Sequence, residues 1–549
     1  MPQDPELQDL MQNFEIVKGQ RGTWNSLWDE VADYGLARRR FSSEVPKMGH
    51  GKRTREIYDN TMMVANELLA SGLHNLLTST AVRWIDVAIE DSRYMQVGAV
   101  LDWCADAEEH LVTMIERPEA GFHPAAHEVY SDISGFGNGG LLTLNDRGNN
   151  GLIFEAMPLV ELYPEEDHHR RIVAMWREFI LPAHSAIRAF GKDQVPEAVK
   201  EVSSDPTTRH TFVQSIRPND DVRVDSPFSF PYKSVTYEPA MKRRVKTEGF
   251  REMPIAFGRW NRDSGEVYAR GPGIQALSEA RMLNAMNKTT IRAAQKATDP
   301  PILIPHQGMM GQLQTGPGGL NVYMAGTQDP IRELYPRGAT SPDIGSEMID
   351  RHRVAVRSAY HYELLSIIQD PRMSATQVLE ISSRTQQILS PIVGRLQTEL
   401  LQPTINRAFN IELRARRMPP VPEILRDQRV EIRFKSPVQR AQRTVEANAA
   451  MKAAAEMQQL AQSNPEALDL VNFDRLARFL FLASGTPPEL LRDDQEVAAL
   501  RESRAALARE QQNLADAGAD ADRTAKVAPA LLKLLQGGLG GGGGRAEAA

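Results

Sequence analysis

The sequence predicts an α+β fold, and three features carry that prediction. Between residues 141 and 260, short runs of alternating apolar and polar residues are cut by turn residues, the pattern of strands. Residues 273–298 form a long stretch entered through Gly271-Pro272-Gly273 and stopped by Asp299-Pro300-Pro301, the pattern of a helix. From Pro437 onward the chain reads helical, and residues 444–462 are rich in Ala, Glu, Gln and Met, all strong helix formers. Of 549 residues, 41% are hydrophobic and 25% charged, which is globular composition. That length corresponds to about three to four domains.

The elements follow in order. Residues 6–33 carry spaced apolar positions and read as helical. Arg38-Arg39-Arg40 and a polar, Gly-rich stretch to Arg55 read as a loop. Asp59 or Asn60 is the expected N-cap of the next helix. In it Met62, Ala65, Leu69, Leu73 and Leu76 repeat at three- and four-residue steps. Ile85, Val87 and Ile89 alternate with Trp84, Asp86 and Ala88, as in a half-buried strand. Residues 95–130 read as helical, and Ser134-Gly135-Phe136-Gly137-Asn138-Gly139-Gly140 as a turn or bent segment. Alternation at 171–176 and 222–224, with turns at Pro218-Asn219-Asp220-Asp221 and Ser226-Pro227, marks strands.

The 273–298 stretch spans about 26 residues, or roughly 39 Å as a helix. Arg281, Lys288, Arg292 and Lys296 stand at offsets 0, 7, 11 and 15. At 100° per residue they share a sector of about 80°. Such a stripe is either a solvated face or a surface toward an anionic partner such as passing DNA. Ala276, Ala280, Leu283, Ala294 and Ala297 offer small or apolar surface for close helix packing. Residues 299–345 are irregular and rich in Gly and Pro, too long for an ordinary connection, and read as a functional or contact element. A second helix is expected from about 346 to 368, broken by Gln369-Asp370-Pro371-Arg372. A third follows at about 374–401, ending before Pro403. Residues 430–435 alternate as a strand. Helices then follow near 444–462, 466–483, 489–516 and 528–536, ahead of a Gly-rich tail expected to be disordered.

Several chemistries find no support. Gly49-His50-Gly51-Lys52-Arg53 lacks the spacing and the Ser/Thr of a phosphate-binding loop. No GxSxG elbow and no zincin motif occur. His123 and His127 are one helical turn apart, but Pro124 intervenes and no third ligand is evident. His168-His169 beside Glu165, Glu166 and Asp167 reads as a solvated loop, and Cys104 beside Trp103 as core. No catalytic residue, metal or cofactor is expected. The net charge of −7 argues against tight static DNA binding by the whole surface. The single cysteine fits a reducing compartment of synthesis. Residues 1–9 lack the basic and apolar regions of a signal peptide. No apolar run approaches the ~18 residues of a membrane span, so a soluble protein with no membrane partner is expected.

Some segments carry a resemblance. Tyr58-Asp59-Asn60-Thr61 leads through Ala65-Asn66-Glu67-Leu68-Leu69-Ala70-Ser71-Gly72-Leu73 to Arg83-Trp84. Gly249-Phe250 precedes Gly258-Arg259-Trp260. Then come Tyr268-Ala269-Arg270-Gly271-Pro272-Gly273, Leu283-Asn284 and Asp299-Pro300-Pro301. Arg372-Met373-Ser374-Ala375-Thr376-Gln377-Val378 follows, then Ser436-Pro437 and Arg440-Ala441-Gln442. In this order they resemble the portal proteins, the head-to-tail connectors of short-tailed (podovirus-type) double-stranded DNA bacteriophages. Ala269 stands where that family tends to have glycine, and Gln377 where an acidic residue is common.

The resemblance implies a portal fold: an α+β wing, a helical stem, a Gly/Pro-rich clip and an α-helical crown, assembled as a ring. The implied parts are wing 1–272, first stem helix 273–298, clip 299–345 and second stem helix 346–368. Residues 369–437 would hold the channel loop and return through the wing, 438–516 the crown, and 517–549 a last helix and flexible tail. The implied protein is not an enzyme. It is a channel at one capsid vertex through which DNA is packaged and ejected. Its DNA-channel candidates are Arg281, Lys288, Arg292, Lys296, Gln369, Asp370 and Arg372. Implied partners are further copies in a ring, expected to be a dodecamer, and double-stranded DNA. The large terminase (packaging ATPase), major capsid and scaffolding proteins, tail adaptors and internal core proteins complete the set. The implied location is the virion, after synthesis in the host cytoplasm. Two other readings stay open: a non-viral helical oligomeric scaffold, and an enzyme with 299–345 as an active-site lid. A wide ring on electron microscopy separates the portal from both.

Overall fold

The computed structural model of the protein describes residues 4–36, 57–80, 83–91, 93–94, 97–146, 148–201, 208–219, 230–298, 302–303, 309–310, 322–323, 332–333, 343–367, 375–425, 430–434, 447, 449–457, 472–483, 496–509 and 511. The chain divides into two compact units, residues 1–91 with 106–446, and residues 92–105 with 447–549. The fold is α+β, as the patterning predicts.

The first unit begins with helices α1 (Pro5–Gln20), α2 (Gly22–Tyr34) and α3 (Thr61–Leu77). Strand β1 (Ile85–Ile89) precedes α4 (Gly98–Glu116), whose residues from 106 onward belong to this unit. The helix expected over 95–130 is interrupted. Pro118 opens a 3-10 turn (Pro118–Ala120), and Gly121, at φ +66°, starts α5 (Phe122–Phe136).

The strands over 138–259 make two antiparallel sheets. Strands β2 (Asn138–Asp146), β3 (Gly151–Met157) and β9 (Ile255–Arg259) pair in the order β3-β2-β9. Strands β4 (Leu162–Glu166), β5 (Ile172–Pro182), β6 (Arg209–Pro218), β7 (Tyr232–Glu238) and β8 (Arg243–Phe250) form a meander. Alternation assigns the meander's two faces. Trp176, Val213, Val235 and Tyr237 pack on Leu7, Leu10 and Phe14 of α1. Phe179, Phe212 and Val245 pack on the other side with Ala183 and Ala186 of α6 (Ala183–Phe190) and Val199 of α7 (Glu197–Glu201). The edge strands are protected by composition: β4 carries Pro164, and β8 carries Arg243, Arg244 and Lys246. The expected strand at 222–224 lies outside the described residues.

Helix α8 (Pro272–Thr298) matches the predicted 273–298 helix. Within 299–345 the described residues are four two-residue strands: β10 (Ile302–Leu303), β11 (Met309–Met310), β12 (Val322–Tyr323) and β13 (Arg332–Glu333). β10 pairs with β13 and β11 with β12, one ladder nested inside the other in sequence. Helix α9 (Asp343–Ala359) starts slightly before the expected 346, and the single helix expected to 368 is broken. Tyr360, fully buried, tightens the turn through its N–H to the Arg357 carbonyl, and His361 sits at φ +54° before α10 (Tyr362–Ile367).

A second correction concerns the helix expected to end before Pro403. Helix α11 (Ala375–Leu396) continues through a π turn (Gln397–Leu401) into α12 (Gln402–Arg414). Pro403 sits at the start of α12, where a missing N–H is tolerated, and the Gln402 N–H reaches five residues back to the Gln397 carbonyl. Strand β14 (Val430–Phe434) pairs antiparallel with β1, Ile85 opposite Phe434 and Ile89 opposite Val430. β1 is more than half-buried: only Asp86 of its five residues is not fully covered.

In the second unit the described residues are helical at 449–457, Phe473–Ala483 and 496–509. Arg501 grips Asp474 with two bonds of 2.8 and 2.6 Å. Cys104 is buried, as expected. Among the described residues, no helix is long and apolar enough to cross a membrane.

Candidate functional site

The predicted stem is a helical hairpin, α8 against α9, and its root is a crossing of two glycine-rich segments. Gly137 ends α5 at φ +87°, and a Cβ there would lie 2.5 Å from the Ala269 carbonyl oxygen. A Cβ on Gly273, in the first turn of α8, would collide with the Gly135 carbonyl. Only hydrogen side chains permit this backbone-to-backbone approach. Asn138 completes the crossing: its Nδ2 donates to the Ala269 carbonyl (2.9 Å) and its Oδ1 accepts the Ala269 N–H (2.8 Å). The bent segment read from 134–140 is therefore the end of α5 joined to β2. The alanine at 269 is fully buried there.

Asp59 is the second fixture of the hairpin. Its Oδ1 accepts the Thr61 N–H (2.8 Å) at the start of α3. Its Oδ2 accepts from Asn287 Nδ2 of α8 (2.9 Å) and from Nε and Nη2 of Arg353 of α9 (3.1 and 3.0 Å). One carboxylate thus caps α3 and ties it to both α8 and α9. Burial pushes the Asp59 carboxyl up, but the bonds from Thr61 and Arg353 outweigh it and hold it below the ordinary carboxylate range. Tyr58 adds a backbone N–H to Asn284 Oδ1 (2.7 Å).

The basic stripe faces away from the buried side of α8, formed by Ala276, Leu277, Ala280, Leu283 and Asn287. Its four members are not equivalent. Arg281 lies 3.3 Å from Glu30 of α2. Lys288 is half-buried, with Nζ 5.5 Å from the centre of the Tyr58 ring. Arg292 and Lys296, in the last two turns, are exposed. Gln369, Asp370 and Arg372 lie outside the described residues.

Sequence reasoning missed the buried charges that brace the rest of the unit. Arg259 of β9, only 3% exposed, binds Glu166 and grips Glu399 in the π turn with bonds of 2.9 and 2.8 Å. Its guanidinium is disfavoured by burial but held charged by Glu399 and Glu166. The acidic run at 165–167 is therefore not simply solvated, although His168 and His169 are exposed. Arg407 donates to the Thr143 and Glu252 carbonyls (2.9 Å each) and is pushed down to about 10 by burial. Buried Glu412 meets Arg417 (2.9 and 2.6 Å) and His110 Nε2 (3.2 Å). The position of Arg259 between Gly258 and Trp260 was the one visible signal.

His123 and His127 of α5 do acquire a neighbour, His74 of α3, with ring centres 5.4 and 6.1 Å away. Burial, then the two other rings, pushes His74 down to about 4. Among the described residues no cluster has the geometry to hold a metal ion.

Comparison with known proteins fits this architecture. Residues 7–491 match the family described as bacteriophage head to tail connecting protein. The chain belongs to that family. The match runs from α1 through the hairpin and into the second unit. Two related family proteins are named for the same role. The "Probable portal protein" of Bordetella phage BPP-1 is 26% identical over 541 residues, 96% of each chain. The "Portal protein" of Salmonella phage epsilon15 is 26% identical over 527 residues, 93% of each chain. As a head-to-tail connecting protein the chain is a component of the head–tail junction. The scaffold reading is not favoured, and the enzyme reading has no support from the family.

Proposed function

We propose that the protein is the portal subunit of a podovirus-type phage, assembling as a ring of copies, expected to be twelve, at one vertex of the capsid. Double-stranded DNA would pass through the ring during packaging and ejection. The observation that carries this reading is the family match across residues 7–491. In the reading, 1–272 is the wing, 273–298 and 346–368 the stem, 299–345 the clip, 369–437 the channel loop and return, 438–516 the crown, and 517–549 the tail.

Physical chemistry supports the division of labour. A head-to-tail interface that closes after a fixed number of copies leaves a hole on the axis. A channel must pass DNA without gripping it. The net charge of −7 keeps overall affinity for phosphate low. The exposed Arg292 and Lys296, repeated around the ring, would offset repulsion locally. Arg281 and Lys288 stand beside Glu30 and Tyr58 of the same chain. Gln369, Asp370 and Arg372 are proposed for the channel loop. The clip would dock the large terminase and then the tail adaptors, and the wing would meet capsid and scaffolding proteins. Internal core proteins would meet the crown. Catalysis is not proposed for this chain; ATP hydrolysis would belong to the packaging ATPase.

Electron microscopy of the purified protein tests the ring. Axial views should show a closed ring with a hole wide enough for duplex DNA; compact small oligomers under all conditions would refute it. Within rings, Arg292→Glu with Lys296→Glu should leave assembly intact and impair packaging or DNA retention. Normal infectious yield would remove these residues from the channel.

A further inference from the structure

The stem hairpin has two chemically opposite outer edges at matching heights. Helices α8 and α9 run antiparallel: Glu279 Oε2 meets His352 Nδ1 at 2.6 Å, and Thr290 lies beside Gly345. These two contacts set the level of every residue between them. By interpolation, Arg281 on α8 is level with Asp350 on α9, and Lys288 with Glu347. Each of these four is two residues from a contact residue on its own helix, which turns it about 160° from the partner helix. Arg281 and Lys288 therefore lie on the far edge of α8, and Asp350 and Glu347 on the far edge of α9. Arg281 is 53% exposed, Glu347 70% and Asp350 71%.

Their present partners are weak ones. Arg281 has Glu30 at 3.3 Å, Glu347 has Arg351 at 2.7 Å and Asp350 has Arg353 at 3.2 Å. All are solvent-exposed pairs of the kind that exchange readily. In a cyclic ring each residue stands at one height in every copy, and the contact is heterologous: one edge of a copy meets the other edge of the next.

We propose that Arg281 and Lys288 engage Asp350 and Glu347 of the adjacent copy, so that the basic stripe is divided. Its half nearer the wing joins neighbouring subunits. Its far half, Arg292 and Lys296, reaches and passes the level of Asp343, the first residue of α9, and takes no part in this pairing. The occupant of this surface is a second copy of the chain. The inference rests on the ring reading above, and the tests separate the two.

In wild-type rings assembled from a mixture of isotopically light and heavy chains, a zero-length carbodiimide should couple Lys288 to Glu347 or Asp350. About half of those links should join a light to a heavy chain. Rings that form, and couple other lysines to carboxylates between chains but never Lys288 to these two, would overturn the inference while leaving the ring reading standing. Absence of rings from the wild type would instead overturn the ring reading. The second test uses charge reversal. R281E/K288E alone and E347K/D350K alone should each cut the ring fraction at least tenfold. Mixing the two variants should restore rings, because alternating copies then present opposite charges at every contact. Rings from either variant alone at wild-type yield would refute the pairing. So would failure of the mixture when both chains keep wild-type circular dichroism.

Discussion

Replacing Asp59 by alanine removes a side chain that binds α3, α8 and α9 together. The cost can be assembled from its bonds. Loss of the cap on the Thr61 N–H costs about 1 kcal/mol. Asn287, 9% exposed, is left with a buried amide short of an acceptor, about 1 kcal/mol more. Arg353 loses a two-bond carboxylate partner, but its side chain is 38% exposed and keeps Asp350, so about 1 kcal/mol is the fitting figure. The total is about 3 kcal/mol, taken as non-additive because the three bonds share one carboxylate. Hydrogen exchange measured residue by residue is the suitable assay. Amides in α3 and in the half of α8 containing Asn287 should lose on the order of a hundredfold in protection, while the five-stranded sheet keeps its own. A double-mutant cycle with Arg353→Ala should return about 1 kcal/mol of coupling. Protection in α3 and α8 unchanged within a factor of about two would refute the assignment of Asp59 as the tie.

Three further outcomes are expected. Gly137→Ala should abolish folded protein, because a left-handed φ and a collision with the Ala269 carbonyl coincide; Gly191→Ala, at φ +90° and ψ 146° with open space, meets backbone strain alone and should cost about 1–3 kcal/mol in unfolding free energy. Lowering the pH should loosen the α3–α5 seam. His74 is held near 4 by burial and by His123 and His127, against about 6.5 unfolded. Its contribution is therefore complete above pH ~6.5, declines as pH falls toward 4 and is flat below. The full shift corresponds to at most ~3 kcal/mol, and to about half of that after solvent screening. His74→Gln should flatten the pH dependence of α3 amide exchange between pH 7 and 5, and a slope unchanged by the substitution would count against this. Arg259→Met should destabilise the first unit by about 3–5 kcal/mol, since it removes the buried guanidinium that pairs with Glu166 and Glu399; Glu399→Gln should cost less than half of that on thermal unfolding.

Local patterns were legible because local chemistry governs them. The α8 helix spans Pro272–Thr298, between Gly271-Pro272-Gly273 and Asp299-Pro300 in the sequence, residues whose backbone preferences favour a start and a stop. The α3 stripe was legible through Leu73, but Leu77 rather than Leu76 is the buried residue at its end. The helices expected at 95–130 and 346–368 were each read as one, because Pro118 and His361 break them by different means. Pro118 opens a 3-10 turn after α4, whereas His361 adopts φ +54° beside a buried Tyr360. Pro403 misled in the opposite sense. Its sequence context predicts an end, but the preceding π turn carries the chain into α12.

By itself the sequence determined the α+β class, the long α8 helix, the basic stripe and the resemblance that the family match bears out. These depend on periodicity, on residues with fixed backbone preferences and on the order of short segments, all readable along one dimension. Only the tertiary structure decided what the charges do. It placed Arg259 between Glu166 and Glu399, brought Asp59 to Asn287 and Arg353, and laid Gly137 across the entry of α8. It also split the stripe, giving Arg281 and Lys288 neighbours in Glu30 and Tyr58 while leaving Arg292 exposed. Those partners lie 90 to more than 290 residues apart in the chain. Electrostatic pairing depends on distance in space, which no spacing in the sequence records.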